Sequence, residues 1–203
     1  MHIPTSDTAK LDILSYAKAE ILSSSDSYDR AKWIYIPDFY TEYRYVLGTR
    51  GKRPVICAGI NPSTAEPDHL DPTLQSVSRI AASNGRDSWL MFNVYAQRAT
   101  RPDDMDIQRN DTLHHENMLA FRALLEIASR YGEPPLIWAA WGAIIEKRIW
   151  LKSCVREMYE NALAFQAEWV CAGKCSKKGH PHHPLYLQRN EQFHSFDIGG
   201  YVK

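Results

Sequence analysis

The chain has 203 residues, 44% of them hydrophobic and 24% charged, with Lys+Arg and Asp+Glu balanced at 24 each. That length and composition describe one globular domain with its own core, needing neither disulfides nor a metal to fold. A formal charge of zero and a sequence pI of about 7.1 exclude a global basic field, so a polyanion would have to be held by a local patch.

The segment Met1-His-Ile-Pro-Thr-Ser-Asp7 lacks the basic start and apolar stretch of a signal peptide. No run approaches the ~18 apolar residues needed to cross a bilayer. A cytoplasmic location is expected, away from membranes and with no obligate protein partner. In a reducing compartment Cys57, Cys154, Cys171 and Cys175 are expected as thiols, two of them simple core residues.

In chain order, Ser6 or Thr8 caps a first predicted helix in which Leu11, Leu14, Ala17 and Ile21 share a face, and Ser23–Ser27 ends it. The aromatics Trp33, Tyr35, Phe39, Tyr40, Tyr43 and Tyr45 read mostly as packing that covers a sheet edge. Tyr43–Leu47 alternates like a strand, and Gly48-Thr-Arg-Gly51 leads into the apolar run at Pro54 as a hairpin-like entry. Residues 1–40 are thus expected as an N-terminal helix and aromatic extension, and 41–203 as the core.

Pro54-Val-Ile-Cys-Ala-Gly59 reads as a buried strand that breaks sharply at Ile60-Asn61-Pro62-Ser63-Thr64. Asp71-Pro72-Thr73 has the signature of a helix start, with Asp as cap and Pro in the first turn, and the helix should run to Asn84-Gly85. Ser88–Phe92 is a second apolar strand, ending at Asn93. Asn110 or Asp111 starts a long helix to Ser129. Pro134–Gly142 is a third strand, Ala143 to about Phe165 a third long helix, and Glu168–Ala172 a fourth strand before His180-Pro-His-His-Pro184. Strands alternating with long helices imply right-handed crossovers. The expected fold is a single three-layer α/β/α domain with a central, mainly parallel four-stranded sheet.

Parallel strands would deliver all four polar break-points to one edge: Asn61, Asn93, Trp141-Gly142 and the His180 loop. In open α/β sheets that edge is where ligands sit.

These motifs, Gly59-Ile-Asn61-Pro62, Phe92-Asn93-Val94, Trp141-Gly142 and His180-Pro181, resemble in order the uracil-DNA glycosylase superfamily over residues 54–187. More closely, Asn61-Pro-Ser-Thr64, Asp71-Pro-Thr73, Asn93 with Arg98-Ala-Thr100, Asn110-Asp111 and His180-Pro with Pro184-Leu-Tyr resemble the bacterial domain-of-unknown-function family 1643. The superfamily resemblance implies that the Asn61 motif positions an attacking water, Asn93 reads the base edge, and His180 stabilises charge on the departing base. Asn61 stands where the most active branch has Asp, as in the mismatch-specific branch, where a carbonyl orients the water. The usual His-Pro-Ser loop is here His180-Pro-His-His-Pro184, and Leu185 and Tyr186 hold the place of a DNA wedge.

The expectation is therefore a nucleobase-directed protein that hydrolyses an N-glycosidic bond in nucleic acid or nucleotide, with no cofactor and no metal. Asn61, His180 and Asp71 are its catalytic candidates, Asp71 also serving as a helix cap and Asp68 standing as an alternative base. Gly59, Pro62, Ser63, Thr64, Asn93, Tyr95, Arg98, Trp141, Gly142, His182 and His183 are its substrate-binding candidates. The chemistry is coherent, because donors held at a leaving base stabilise the charge that grows there, and Tyr95 or Phe92 would stack on an extruded base. Arg98, Arg101, Arg109, Lys174, Lys177, Lys178 and Arg189 would rim the cleft, or be scattered solvated charges. Two alternatives stand beside this reading: a non-catalytic nucleotide or nucleic-acid binding module with the same cleft, and a zinc hydrolase built on Cys171, Cys175, His180, His182 and His183.

Overall fold

The structure, a computed structural model, describes residues 7–203. Ser6 lies outside the described residues. Among them the sheet has seven strands: β1 (Trp33–Ile36), β2 (Val46–Thr49), β3 (Pro54–Gly59), β4 (Ser88–Asn93), β5 (Leu136–Ala139), β6 (Glu168–Ala172) and β7 (Phe193–Ser195), in the spatial order β1-β2-β4-β3-β5-β6-β7. The block β4-β3-β5-β6 is parallel. β1 and β2 add to one side of it and β7 to the other, all antiparallel to their neighbours.

Every residue of β3 and β4 is buried, because helices cover both faces of the parallel block. Alternate side chains divide between two clusters. Ile56, Ala58, Leu90, Phe92, Ile137 and Ala139 pack with α1 (Tyr16–Ile21), α3 (Asp111–Ser129) and α4 (Leu151–Leu163). Val55, Cys57, Trp89, Met91, Leu136 and Trp138 pack with α2 (Pro72–Ser83), whose Leu74, Val77, Ile80 and Ala81 recur at helical spacing. Each such fully buried large side chain contributes about 1.5–3 kcal/mol of transfer free energy. The result is a mixed α/β fold in three layers.

The connection from β3 to β4 runs through α2 on one face, whereas those from β4 to β5 and from β5 to β6 run through α3 and α4 on the other. The chain therefore reverses its winding between the adjacent strands β3 and β5, which makes their carboxyl ends a topological switch point.

Several sequence expectations are corrected. The sheet has seven strands instead of four. β1 was hidden because Trp-Ile-Tyr-Ile lacks polar alternation, being buried on both faces, and β7 is only three residues long, two of them exposed. The core begins before residue 41, since Trp33, Tyr35 and Ile36 of β1 belong to it, as does Tyr16. The hairpin runs from β1 to β2; β2 then pairs with β4, so it does not fold back on β3.

The first helix is broken. Thr8–Lys10 forms a 3-10 turn, and α1 starts only at Tyr16, capped by the Ser15 hydroxyl, which accepts from Lys18 N at 3.4 Å. Thr8 is drawn away because its hydroxyl donates to Asp106, and Ile21 is left 79% exposed. The helix expected from Ala143 to Phe165 is likewise split into a 3-10 segment, Gly142–Lys147, and α4. Arg148 between them is extended (φ −134°, ψ 131°), its guanidinium donating to the carbonyls of Asp103, Met105 and Asp106 at 2.7–2.9 Å. A final helix, α5 (Ile198–Tyr201), packs on the α3/α4 side. None of the described helices is long and apolar enough to cross a membrane.

Candidate functional site

A cavity of about 380 Å³ opens at the carboxyl edge of β3 and β4. That volume suits one small ligand. Its walls come from the loop after β3 (Gly59, Ile60, Asn61, Ser63, Thr64), the start of α2 (Asp71, Thr73, Leu74), β4 and its sequel (Met91, Asn93, Ala99, Thr100, Pro102), and from Arg44, Ile144 and His183. A larger depression of about 740 Å³ lies between Thr8 and Asn110. Several of its polar groups bond to one another: Thr8 donates to Asp106, which also accepts from Tyr95 at 2.6 Å, and Asn110 Nδ2 donates to Thr8 Oγ1 at 3.1 Å. The strand-end residues Asn61 and Asn93 line the smaller cavity.

Asn93 is the most unusual residue in it. The parallel register pairs Gly59 with Asn93, so the two stand side by side at the strand ends. The Asn93 side chain is buried, at 1% exposure, yet neither Nδ2 nor Oδ1 has a hydrogen-bond partner among the described residues. Each buried polar group left unpaired costs about 1–3 kcal/mol, so the free protein holds this amide at an energetic disadvantage. Gly59 makes room for it: a Cβ there would meet Met91 Cε at 2.5 Å and Asn93 Nδ2 at 2.9 Å.

Asn61 is held differently. Its Nδ2 donates to Ala99 O at 2.7 Å and to Pro62 O at 3.2 Å, which fixes the amide plane and leaves the side-chain carbonyl for a ligand or water. Asp71 caps α2 through Oδ1, which accepts from Leu74 N at 2.8 Å, so its second carboxylate oxygen is free of the cap. Asp71 is thus the cap of α2 and also a lining residue of the cavity. His183 closes the cavity from the loop after β6. Burial pushes its imidazole pKa down, with the nearby Asp71 opposing, so the ring is neutral near pH 7. Nδ1 accepts from Leu185 N at 3.4 Å, which assigns the proton to Nε2. Gly142, at φ +62°, brings the segment after β5 close under His183: a Cβ on it would lie 3.4 Å from His183 Cβ.

Behind the cavity stand two buried guanidiniums. Arg44 is 1% exposed and Arg98 0%. Their Nη1 atoms donate to the same carbonyl, Ala65 O, at 2.9 and 3.3 Å. Arg98 also donates to Ser63 O and to Tyr35 Oη (2.9 Å), and lies 4.4 Å over the Tyr40 ring. Both Nε atoms lack a partner, and neither arginine forms an ion pair among the described residues. Burial, and then the neighbouring Arg98, push the Arg44 pKa down; burial does the same to Arg98.

Of the residues expected at the site from sequence, Gly59, Asn61, Ser63, Thr64, Asp71, Asn93 and His183 are brought together. His180 is not among the cavity's lining residues. It is buried, at 3% exposure, with Nδ1 2.8 Å from Tyr201 Oη and Nε2 3.1 Å from Glu146 Oε1. Tyr201 Oη also accepts from Trp141 Nε1 at 3.1 Å, and the Glu146 carboxylate, which can only accept, accepts from Nε2–H. Trp141 and His180 thus belong to one buried network beside the cavity. Tyr95 is fully buried against Trp150, with ring centroids 4.7 Å apart, and Phe92 against Phe121, so neither ring is free to stack on a base. Pro62 is buried, and His182 is exposed outside the lining.

Of the expected basic rim, Arg98 is internal, Arg109 pairs with Asp111 and Lys178 with Glu146, while Arg101, Lys174, Lys177 and Arg189 are exposed. Asp68 is engaged by Lys32 and the Trp33 indole, away from the cavity. Cys171 and Cys175 bring their sulfurs to 3.8 Å, but His180 is committed elsewhere and no group of three metal-ligating side chains occurs among the described residues. Sequence reasoning missed Arg44, Thr73, Thr100 and Ile144 as cavity residues.

No curated protein matches the chain, and no solved structure matches it. One family model does, over residues 44–185, a span that runs from Arg44 through every cavity residue to the loop beyond His183. The chain belongs to that family, described as a protein of unknown function, DUF1643.

Proposed function

We propose that this protein binds a nucleobase in the cavity, with Asn93 reading its edge, and hydrolyses the N-glycosidic bond that carries the base. The observation that carries this reading is the Asn93 amide, buried with donor and acceptor both unpaired at the carboxyl end of β4, beside β3. A base edge that offers an adjacent acceptor and donor would satisfy both at once, as asparagine does with adenine in nucleic-acid recognition. The uracil-glycosylase resemblance assigns base reading to the same residue, and the parallel block, with its polar strand ends, is in keeping with it.

The chemistry follows from the other cavity groups. Water held by the Asn61 carbonyl attacks the sugar carbon as the bond to the base nitrogen breaks, and its proton passes to the free oxygen of Asp71. The bonding electrons leave with the base, where the Asn93 amide and the His183 Nε2–H stabilise the developing charge. A second reading, a non-catalytic nucleotide-binding module, is favoured by one observation: both ring nitrogens of His180 are engaged outside the cavity.

One experiment separates them. The protein is incubated with oligonucleotides carrying uracil, mismatched and damaged bases, and with nucleotides, and released base and abasic sites are measured alongside binding. Base release that is lost in folded Asn93→Ala and Asn61→Ala variants is expected. Base-dependent binding without release selects the module, and neither release nor binding refutes both.

A further inference from the structure

We infer that the cavity takes its ligand as a free nucleotide with a terminal phosphate, which binds at Arg44 with Arg98 behind it. This rests on base reading by Asn93 and adds the second half of the ligand.

Two guanidiniums that share one carbonyl repel each other, and both are removed from water. Buried charges in proteins are ordinarily paired, because desolvation is costly unless an opposite charge offsets it. Neither arginine has such a partner among the described residues. Tyr35 Oη receives Arg98 and passes on to Glu66 at 3.2 Å, so the nearest acid on that side is reached only through a phenol. On the cavity side the acid is Asp71, whose Oδ1 is occupied by the α2 cap. Arg44 lines the cavity with a single hydrogen bond, from Nη1, and an unpaired Nε. An anion entering the cavity would supply the missing charge and meet a planar donor fork suited to phosphate oxygens. Burial and like-charge repulsion weigh on Arg44 in the free protein, and a bound phosphate relieves both.

A free nucleotide is favoured over a polynucleotide by charge. The chain is neutral overall, and Arg109 and Lys178 are already paired with Asp111 and Glu146, so a run of backbone phosphates meets little net attraction. The two buried cations without an acidic partner stand at one point beside a cavity of single-ligand size.

The test is calorimetric titration of the full-length protein with the four common nucleosides, their 5′-monophosphates, ribose 5-phosphate, inorganic phosphate and a short oligonucleotide. The expected result is that one monophosphate binds about 100-fold more tightly than its nucleoside, the effect of a charged hydrogen-bonding pair, and that inorganic phosphate competes with it. Arg44→Gln should remove most of that advantage and Arg44→Lys should keep part of it. Equal affinity of nucleoside and monophosphate in the unmodified protein would overturn the inference without recourse to a variant, as would tighter binding of the oligonucleotide. Ribose 5-phosphate binding as well as every monophosphate would leave the phosphate subsite standing and refute base reading by Asn93. No binding by any of these would overturn both.

Discussion

Replacing Asn93 by Leu is expected to stabilise the free protein while abolishing ligand binding, the reverse of what a buried, hydrogen-bonded asparagine would do. The wild-type amide holds two polar atoms out of water with no partner among the described residues. Each costs about 1–3 kcal/mol, and an apolar side chain in the same place carries no such cost. Leucine has as many side-chain heavy atoms as asparagine, and the adjoining cavity of about 380 Å³ can take the slightly larger bulk of its two methyls. The backbone there is unaffected, since Asn117 Nδ2 donates to the Asn93 main-chain carbonyl at 2.9 Å, not to the side chain.

A net gain of about 2 kcal/mol follows, or a rise of about 4–8 °C in Tm for a domain of this size. Scanning calorimetry measures it, and urea titration with an unchanged slope would show that the gain lies in the folded state. A fall of several degrees would refute the reasoning, because it would mean that the amide makes good hydrogen bonds in the free protein.

Gly59→Ala should fold at a cost of about 1–3 kcal/mol, the usual penalty for overpacking, and should lose ligand affinity, because the new methyl meets Met91 Cε at 2.5 Å and crowds the Asn93 amide at 2.9 Å; unaltered binding would show that the amide is not held as described. Stability should decline as pH falls through ~6.5, the titration point of an unfolded histidine: burial keeps the folded His183 below that value, so the unfolded chain takes up the proton first, and the loss levels off once the folded ring also protonates. Urea midpoints between pH 7.5 and 5 should show this difference between the wild type and His183→Gln, and parallel curves would contradict it. Of the four thiols only Cys175 is exposed. It should react rapidly with a disulfide reagent, whereas Cys154, pushed up to about 11 by burial, and Cys57, pushed well above the ordinary thiol value, should react only on unfolding. Fast labelling that survives in Cys175→Ser would overturn this.

The parallel block and its helix caps were legible in the sequence because their signals are local. Pro54–Gly59 and Ser88–Asn93 are continuous apolar runs that must be buried on both faces, and Asp71-Pro72 and Asn110 carry their capping chemistry within four residues. From those signals the convergence of Asn61 and Asn93 on one edge followed. The marginal strands β1, β2 and β7 were misread because their pairing is long-range: Trp33 meets Thr49, Leu47 meets Met91, and Cys171 meets His194, contacts that no nearby residue encodes.

The site divides in the same way. Sequence by itself determined the strand-end loops, the Gly59 and Asn93 pair of strand termini, and the family over residues 44–185, since a strand's polar break is written where the strand stops. Only the tertiary structure decided which histidine faces the cavity. His180 and His183 are three residues apart in one loop, but Tyr201 and Glu146, from distant segments, claim both nitrogens of the first, while the second is left against Gly142. It also decided that Arg44 and Arg98 stand together without an acidic partner, because charge pairing depends on which groups the fold brings within reach, and that is not written in the spacing of the residues.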